Sequence, residues 1–235
     1  WYLAGGIDKL VATTNATWPF FALPLREDIV NLGSSKELNQ EQLLACEPDF
    51  VIASCGTDRN VELETFFEDT GINVAYFSVN SFDDYLRVLK ICTDITGCTD
   101  NYEEYGTKVA EEVDAALARV DDTHPTVLYV RASGKSCKVK NSEESVLGEM
   151  LANMGCVNIA DSNESLLEQL SMEVILEQDP DYIFVVLQSE DPAEAEEILQ
   201  TTLLDNPAWS TLTAVKENRY YVMDANLYNM KPDAR

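Results

Sequence analysis

Apolar residues recur at helical spacing through the middle of the chain. Between residues 100 and 121 they form one face, at Val109, Ala110, Val113, Ala116, Leu117 and Val120. Asp100 followed by Glu103 resembles a capping box, and the His124-Pro125 pair ends the pattern. At about 1.5 Å per residue, such a helix spans about 30 Å. The pattern therefore predicts one long helix that can join two domains.

The segments on either side of this predicted helix repeat one pattern. Residues 28–54 and 156–186 each combine a Val-Asn strand, a polar loop, an amphipathic helix, an acidic-Pro-Asp stop and an apolar run. The two copies are well over 100 residues apart, from residue 28 to residue 156. A period of that length indicates two similar domains and not a solenoid.

Short apolar runs alternate with helical patterns in both halves. The run at residues 50–54 is typical of a parallel strand covered on both faces. Alternation of this kind predicts an α/β fold with two Rossmann-like lobes, each with a mainly parallel sheet. The expected division is an N-terminal lobe at 1–99, a connecting helix at 100–121 and a C-terminal lobe at 122–235.

Candidate ligand contacts lie in the loops after the predicted strands, because ligands of open parallel sheets bind outside the carboxyl ends of the strands. The aromatic residues around Trp18 are either a ligand platform or a cover for the local core. In the first lobe the candidates are Trp18, Cys55, Arg59 and Asn80. In the second lobe they are Arg131, Ser133, Lys135, Lys138, Lys140, Gln188, Tyr228 and Lys231.

A basic cluster distinguishes the predicted loop at residues 132–141. Of the sixteen Lys and Arg residues, four lie between residues 131 and 140, and Arg59 lies in the matching loop of the first lobe. A local cluster in so acidic a chain suggests the capture of an anionic group, and Arg suits paired contacts with carboxylate or phosphate. The alternative is a set of surface charges that offset nearby carboxylates.

Composition excludes several classes of function. The formal charge of −26 opposes binding to nucleic acid or to anionic lipid. The chain has one histidine, His124, so sites built from several imidazoles are excluded, and it has no Walker A motif. The six cysteines show no compact ligand spacing. Buried thiols are the expected interpretation, and disulfides stay open for an exported protein.

Many motifs, in collinear order, resemble those of the substrate-binding proteins of ABC importers for iron-siderophores, haem and cobalamin. They include LAGG-x-DKLV, EPDFVIAS, GINVAYF, SFDDYLRVLK, RASG, LGEMLANMGCVNIA, SLLEQLSMEVILEQDPDYIFV, NPAWSTLTAVK and KPDAR. The match covers nearly the whole chain but is not specific for the ligand. It implies the class III periplasmic-binding-protein fold, with two lobes joined by a single long helix and a ligand in the shallow cleft between them. It also implies no catalysis and no intrinsic cofactor.

The resemblance implies an extracytoplasmic component that captures a small metal chelate and delivers it to an ABC permease. An iron(III)-siderophore is the expected ligand because the basic loop suits an anionic chelate; haem and cobalamin are the alternatives. Haem would need an axial ligand such as Met230 or Tyr228. Permease docking in this family commonly uses one glutamate on each lobe. Glu62, with Glu64 as a competitor, matches the first, and the second is not placed.

The chain also departs from the family pattern at both ends. Family members usually begin with a strand and a helix before LAGG and end with a helix after KPDAR. We therefore expect a fragment or a short member, monomeric unless self-association covers open sheet edges. The secretion signal and lipid-anchor cysteine would lie in the missing start. The expected location is the periplasm or the outer face of the cell membrane.

A different class of function uses the same loops. In this hypothesis the chain is an α/β enzyme or a metal-cluster protein, with Cys55 and Cys137 as ligands. A sensor domain that binds the same ligands is a third hypothesis, which the sequence does not separate from transport.

Overall fold

The chain folds as two compact units, residues 1–110 and the part that begins at Glu111. The structure is a computed structural model that describes residues 1–18, 23–35, 37–55, 58–79, 81–143, 145–189 and 191–228. Within those ranges, no helix has both the length and the apolar character needed to cross a lipid bilayer.

In unit 1 the described strands pair as two parallel sheets of two strands each. Strand β1 (Ala12–Thr13) pairs with β2 (Val30–Asn31), and β3 (Phe50–Ser54) pairs with β4 (Asn73–Phe77). The helices are a 3-10 turn at Ile7–Lys9, α1 (Gln40–Ala45), α2 (Asp58–Glu62), α3 (Glu64–Thr70), α4 (Phe82–Thr96) and α5 (Thr99–Tyr102). One core cluster lies between the sheets and α1 and α3, at Leu32, Leu43, Leu63 and Phe67.

Local sequence signals set the ends of these helices. The side chain of Asn39 accepts a hydrogen bond from the Gln42 amide at 3.0 Å and so caps α1. Ser81 and Asp84 form a capping box at the start of α4. Gly97 ends that helix with a left-handed φ of 77°, a conformation that glycine adopts without steric cost.

The predicted burial of β3 on both faces is wrong. Phe50 and Ile52 are 41% and 42% exposed, whereas Val51 packs against the core cluster of unit 1. The sequence run is apolar on both faces, but helices and loops cover only the Val51 face. The strand therefore presents two large side chains to solvent.

The predicted central helix is present without a break from Thr99 to Leu117, but it contains a π turn and ends earlier than expected. It begins at α5, widens into a π turn at Glu103–Thr107, and continues as α6 (Lys108–Leu117). Cys98 is the N-cap residue and makes no side-chain cap bond, so the predicted Asp100 cap is wrong. The Tyr85 hydroxyl donates to the Tyr105 carbonyl at 2.6 Å. A side chain bonded into the helix ladder is a recognised cause of local widening.

Unit 2 contains one sheet of five described strands, which are β5 (Thr126–Ala132), β6 (Cys137–Lys140), β7 (Val157–Asn158), β8 (Tyr182–Leu187) and β9 (Tyr220–Met223). The order in the sheet is β6-β5-β8-β9, with β7 paired to the start of β5. Among these strands only β6 runs antiparallel, against β5. The helices are α7 (Val146–Asn153), α8 (Glu164–Glu168), α9 (Met172–Gln178), α10 (Pro192–Leu199), a π turn at Gln200–Leu204, a 3-10 turn at Trp209–Thr211, α11 (Thr213–Lys216) and α12 (Ala225–Tyr228).

The sheet of unit 2 has a core on each face. On one face, alternate residues of β5 and β8 such as Leu128 and Val185 pack with Trp209 and Leu212. On the other face lie Val127, Tyr129, Leu147, Leu151 and Val186. Because both faces are covered, β5 and β8 form a firm base for the side chains at their carboxyl ends.

Candidate ligand-binding site

The basic cluster lies on one β-hairpin and not in a loop. Residues 132–141 were expected to be a loop, but β6 occupies Cys137–Lys140 and pairs with β5. A tight turn joins the two strands, where the Ser133 amide donates to the Ser136 carbonyl at 2.8 Å. The alternation of Cys137 and Val139 with two lysines was the signal for a strand that the sequence interpretation missed.

The pairing register places the cations on one face of the hairpin. Arg131 is opposite Lys138, and Tyr129 is opposite Lys140. Residues opposite each other in an antiparallel pair share a face, as do residues two apart along a strand. Arg131, Lys138 and Lys140 therefore share the face of Tyr129, whereas Cys137 packs against the core cluster on the other face.

Burial differs along this cationic face. Tyr129 is buried, Arg131 and Lys140 are half-buried, and Lys138 is exposed. Burial raises the pKa of the Tyr129 phenol above its ordinary value, and the nearby charge of Arg131 opposes that shift. A phenol with the ordinary pKa of about 10 is already neutral at pH 7, so the cations lie beside an uncharged, buried ring.

Ser133 and Lys135 lie at the tip of the hairpin. The Ser133 hydroxyl accepts from the Ser136 amide at 3.2 Å and from the Lys135 amide at 3.4 Å. It also donates to the Ser136 carbonyl at 3.1 Å. The Ser133 hydroxyl is therefore engaged in hydrogen bonds within the turn, whereas the Lys135 side chain is exposed.

Glu194 is a neighbour of the hairpin tip that the sequence interpretation missed. A Cβ atom at Gly134 would lie 2.6 Å from Oε2 of Glu194, so this glycine permits the close approach of the carboxylate. The same Oε2 accepts a hydrogen bond from the Ser189 hydroxyl at 3.4 Å. The amide of exposed Gln188 donates to the Ala132 carbonyl at 2.6 Å. The loop after β8 is therefore bonded to the hairpin.

Tyr228 lies in α12 and packs, half-buried, against the core cluster that contains Tyr129. It therefore belongs to the same side of the sheet as Arg131. Three other residues named from the sequence, Asn80, Met230 and Lys231, lie outside the described residues.

In unit 1 the candidate contacts have partners of their own. Arg59, which is half-buried, forms an ion pair with exposed Glu62 at 3.0 Å. The Asn60 side chain donates to the Ser54 carbonyl at 2.9 Å, which fixes the loop after β3 to the strand end. Cys55 and Trp18 are exposed, Trp18 to 40%. Because Glu62 offsets the charge of Arg59, this loop is less cationic than the hairpin of unit 2.

Glu64, the competing docking residue, lies near Tyr76. Desolvation by burial raises the pKa of the Tyr76 phenol, and the negative charge of Glu64 raises it further. The Tyr76 hydroxyl donates to the Asn60 carbonyl at 3.0 Å. Glu64 thus lies close to the same loop as Glu62.

An open cavity of about 380 Å³ in unit 1 contains none of the predicted contacts. Its one cation, Arg26, already donates to the Asp28 carboxylate at 2.9 Å and to the carbonyls of Asp8 and Leu10 at 2.7 and 3.0 Å. We therefore do not assign the ligand to this cavity. It is lined by Val11, Arg26, Asp28, Val30, Gln42, Ala45 and Cys46.

The comparison with protein families decides the class of this molecule. A family model described as "Periplasmic binding protein" matches residues 1–227. The chain belongs to the periplasmic binding protein family. A curated relative, the iron-uptake system-binding protein of Bacillus subtilis strain 168, is 22% identical over 193 residues. The matched region is 81% of this chain and 59% of that relative, so the chain spans less than two thirds of its length.

Three solved structures show a fold similar to that of this chain. The haem complex of IsdE from Staphylococcus aureus has a TM-score of 0.72 and 18% identity, covering 99% of this chain and 90% of that one. The haem-binding protein HutB of Vibrio cholerae has a TM-score of 0.73 and 20% identity, covering 96% of this chain and 85% of that one. The vitamin B12-binding protein BtuF of Vibrio cholerae has a TM-score of 0.72 and 21% identity, covering 97% of this chain and 84% of that one. The predicted α/β fold and the family resemblance are confirmed.

The cysteine hypothesis gains no support in this periplasmic binding protein. All six cysteines are free thiols. Burial raises the pKa of the Cys137 thiol to about 11, which disfavours the thiolate that metal ligation requires. Across the described part of the chain, no three His, Cys, Asp or Glu side chains are grouped as metal ligands.

Proposed function

We propose that this periplasmic binding protein is the solute-binding component of an ABC importer. In this role it captures an iron(III)-siderophore-type chelate outside the cytoplasm and hands it to a membrane permease. The observation that carries the proposal is the hairpin of unit 2, on which Arg131, Lys138 and Lys140 share one face in a chain of net charge −26. The chelate is cargo, and no catalytic step is part of the proposal.

The proposed ligand contacts come from loops and strand ends in both units. In unit 2 the hairpin supplies charge, while Gln188 and Tyr228 supply hydrogen bonds and an aromatic surface. In unit 1, Trp18 supplies apolar contact area, and Arg59 supplies a cation when it leaves Glu62. The full set is Trp18, Cys55, Arg59, Asn80, Arg131, Ser133, Lys135, Lys138, Lys140, Gln188, Tyr228 and Lys231.

An anionic chelate suits this set better than cobalamin does, because charge-assisted hydrogen bonds to oxyanions are among the strongest polar contacts. Haem is the second candidate, since its propionates are anionic and the phenol of Tyr228 can supply an axial ligand. Two of the similar structures are named for haem and one for vitamin B12. Their identities of 18–21% carry the fold to this chain and leave the ligand open.

We further propose that exposed glutamates dock the loaded protein on arginines of the permease. Glu62, the fifth residue of α2, is the unit 1 candidate, with Glu64 beside it. The internal repeat supplies a unit 2 candidate that the sequence interpretation did not place. Glu196 is the fifth residue of α10, which follows β8 as α2 follows β3, and it is exposed.

The remaining parts of the proposal concern location and assembly. We propose an extracytoplasmic monomer that is either free in the periplasm or held at the outer face of the cell membrane by a lipid anchor. Membrane extraction of the native protein, followed by mass measurement of the intact chain, tests the anchor. Light scattering tests the monomer.

A ligand panel tests the proposed cargo. We expect a ferric tris-catecholate to quench tryptophan fluorescence at micromolar concentrations, while haem and cobalamin do not. Arg131→Gln should weaken chelate affinity about 10- to 100-fold, because charge-assisted hydrogen bonds contribute about 1.5–3 kcal/mol. Lys216→Gln, at the end of α11, is the control and should bind as the wild type does. Quenching by cobalamin alone would overturn the assignment of the cargo.

A further inference from the structure

The hairpin places two cations directly opposite each other. We infer that Arg131 and Lys138 form a two-cation anion site in which a single oxyanion of the ligand bridges both side chains. This inference deepens the proposed function, because it names the group by which the cargo is held. That group is a carboxylate, phosphate or catecholate oxygen.

The register makes the pair unfavourable in the empty protein. Side chains directly opposite in an antiparallel pair have Cβ atoms about 4.5–5.5 Å apart, and like charges at that position are destabilising. Lys140 lies two residues further along the same face. The short turn at Ser133–Ser136 prevents the strands from separating to relieve the repulsion, because the amide and the hydroxyl of Ser133 both donate to the Ser136 carbonyl.

Six cations of the described chain form ion pairs, and neither Arg131 nor Lys138 is among them. Ion pairs hold Arg26, Arg59, Arg87, Lys90, Lys108 and Arg219 in the described part of the chain. None of the ion pairs formed there includes Arg131 or Lys138. The chain has 42 Asp and Glu residues, so acidic partners are abundant. Lys9, Arg119 and Lys216 are likewise outside these ion pairs, so what distinguishes Arg131 and Lys138 is that they lie opposite each other without a counter-ion among the described residues.

The surroundings of Arg131 increase the strength of a bridging contact. Its neighbours in register are Lys138 on one side and buried Val186 on the other. Tyr129, on the same face, is buried and adds no charge, since a phenol with the ordinary pKa of about 10 is neutral at pH 7. Half-burial of Arg131 reduces screening by water at that residue, so an oxyanion bound there gains more than it would at a fully exposed cation.

Repulsion in the empty site and attraction in the filled site give a signature that distinguishes this pair from ordinary surface lysines. Removing a cation from a chain of charge −26 normally adds to the self-repulsion of the folded state. Removing Lys138 also ends its repulsion with Arg131. We therefore expect Lys138→Gln to stabilise the empty protein while it abolishes the response to anions.

The experiment is thermal unfolding with citrate as the probe and sodium chloride at equal ionic strength as the reference. About 10 mM citrate should raise the unfolding midpoint of the wild type by about 2–5 °C over chloride. Without citrate, Lys138→Gln should unfold about 1–3 °C higher than the wild type, and citrate should add nothing. Lys138→Arg should keep the wild-type response. Lys9→Gln, at an exposed turn of unit 1, is the matched control and should respond to citrate as the wild type does.

Two results would overturn the inference. One is a Lys138→Gln midpoint at or below that of Lys9→Gln, and the other is a citrate response that survives in both Lys138→Gln and Arg131→Gln. The proposed function is tested separately with the ferric tris-catecholate. Chelate binding of unchanged strength in Lys138→Gln would refute only the two-cation anion site. A citrate response without chelate binding would refute only the proposed cargo.

Discussion

At the scale of single residues, Asp179 joins two elements of unit 2. It adopts a left-handed φ of 38° after α9. Its carboxylate accepts from the Thr213 amide at 2.8 Å and from the Thr213 hydroxyl at 2.6 Å. These hydrogen bonds lower the pKa of Asp179 below its ordinary value. The end of α9 is thereby tied to the start of α11.

Asp179→Asn should destabilise the protein in a pH-dependent way. The amide group replaces one acceptor with a donor, and the expected loss is about 1 kcal/mol, discounted because the group is exposed. A lowered folded-state pKa contributes stability above the unfolded pKa of about 3.9 and loses it as the pH falls through the folded value. Urea unfolding should show the loss at pH 6 and little at pH 2.5. Asp122→Asn, in an exposed turn, is the control, and an equal loss at both pH values would refute the explanation.

At the scale of elements, the β5–β6 hairpin depends on its contact with α10. Gly134 at the tip faces the Glu194 carboxylate, and Glu194 is bonded to Ser189 in the loop after β8. A side chain at position 134 must displace the end of Glu194. The tip of the hairpin and the start of α10 should therefore be energetically coupled.

A double-mutant cycle measures this coupling. Gly134→Ala should lower the free energy of unfolding by about 1 kcal/mol in the wild type and by much less in a Glu194→Ala background. The reason is that truncation removes Oε2, the atom 2.6 Å from the new methyl group, and leaves only the Cβ atom of residue 194 at 3.3 Å. Equal costs in both backgrounds would show that backbone entropy, and not the carboxylate, sets the requirement for glycine. Gly71→Ala is a useful comparison, since no atom lies within 4 Å of a Cβ there but φ is 69°.

Some helix ends and strands of this protein can be predicted from sequence patterns alone. The cap at Asn39, the capping box at Ser81 and the apolar run at 182–187 could be read directly, because each signal lies within a few residues. β6 was missed because its alternation of Cys137 and Val139 with two lysines spans only four residues, the shortest length at which alternation indicates a strand. The exposed face of β3 was missed because exposure depends on distant segments that pack, or do not pack, against Phe50 and Ile52.

At the scale of the whole molecule, the net charge of −26 bears on docking. Charged residues at an interface mainly set the rate and specificity of association. The proposed docking glutamates, Glu62 and Glu196, are exposed, and Glu62 has only the half-buried Arg59 as an ion-pair partner in the described structure. Exchange of that partner for a permease arginine therefore has a low cost.

Glu62→Gln and Glu196→Gln should weaken permease docking without changing chelate affinity. We expect each to lower stimulation of the importer ATPase about 5- to 10-fold at low salt, with a smaller effect at high salt because ions screen exposed charges. Glu168→Gln at the end of α8 is the matched control. Unchanged stimulation in the double variant would exclude these residues, and a parallel fall in chelate affinity would assign them to the ligand site.

The sequence by itself determined the α/β class, the family and the presence of a cationic segment at residues 131–140, because these depend on local pattern and composition. Only the tertiary structure decided that the segment is a hairpin, that Arg131 is opposite Lys138, and that Glu194 lies on Gly134. It also decided that Cys137 packs into the core. Pairing register and close approach between segments far apart in sequence follow from the packing of the whole unit, which no short pattern encodes.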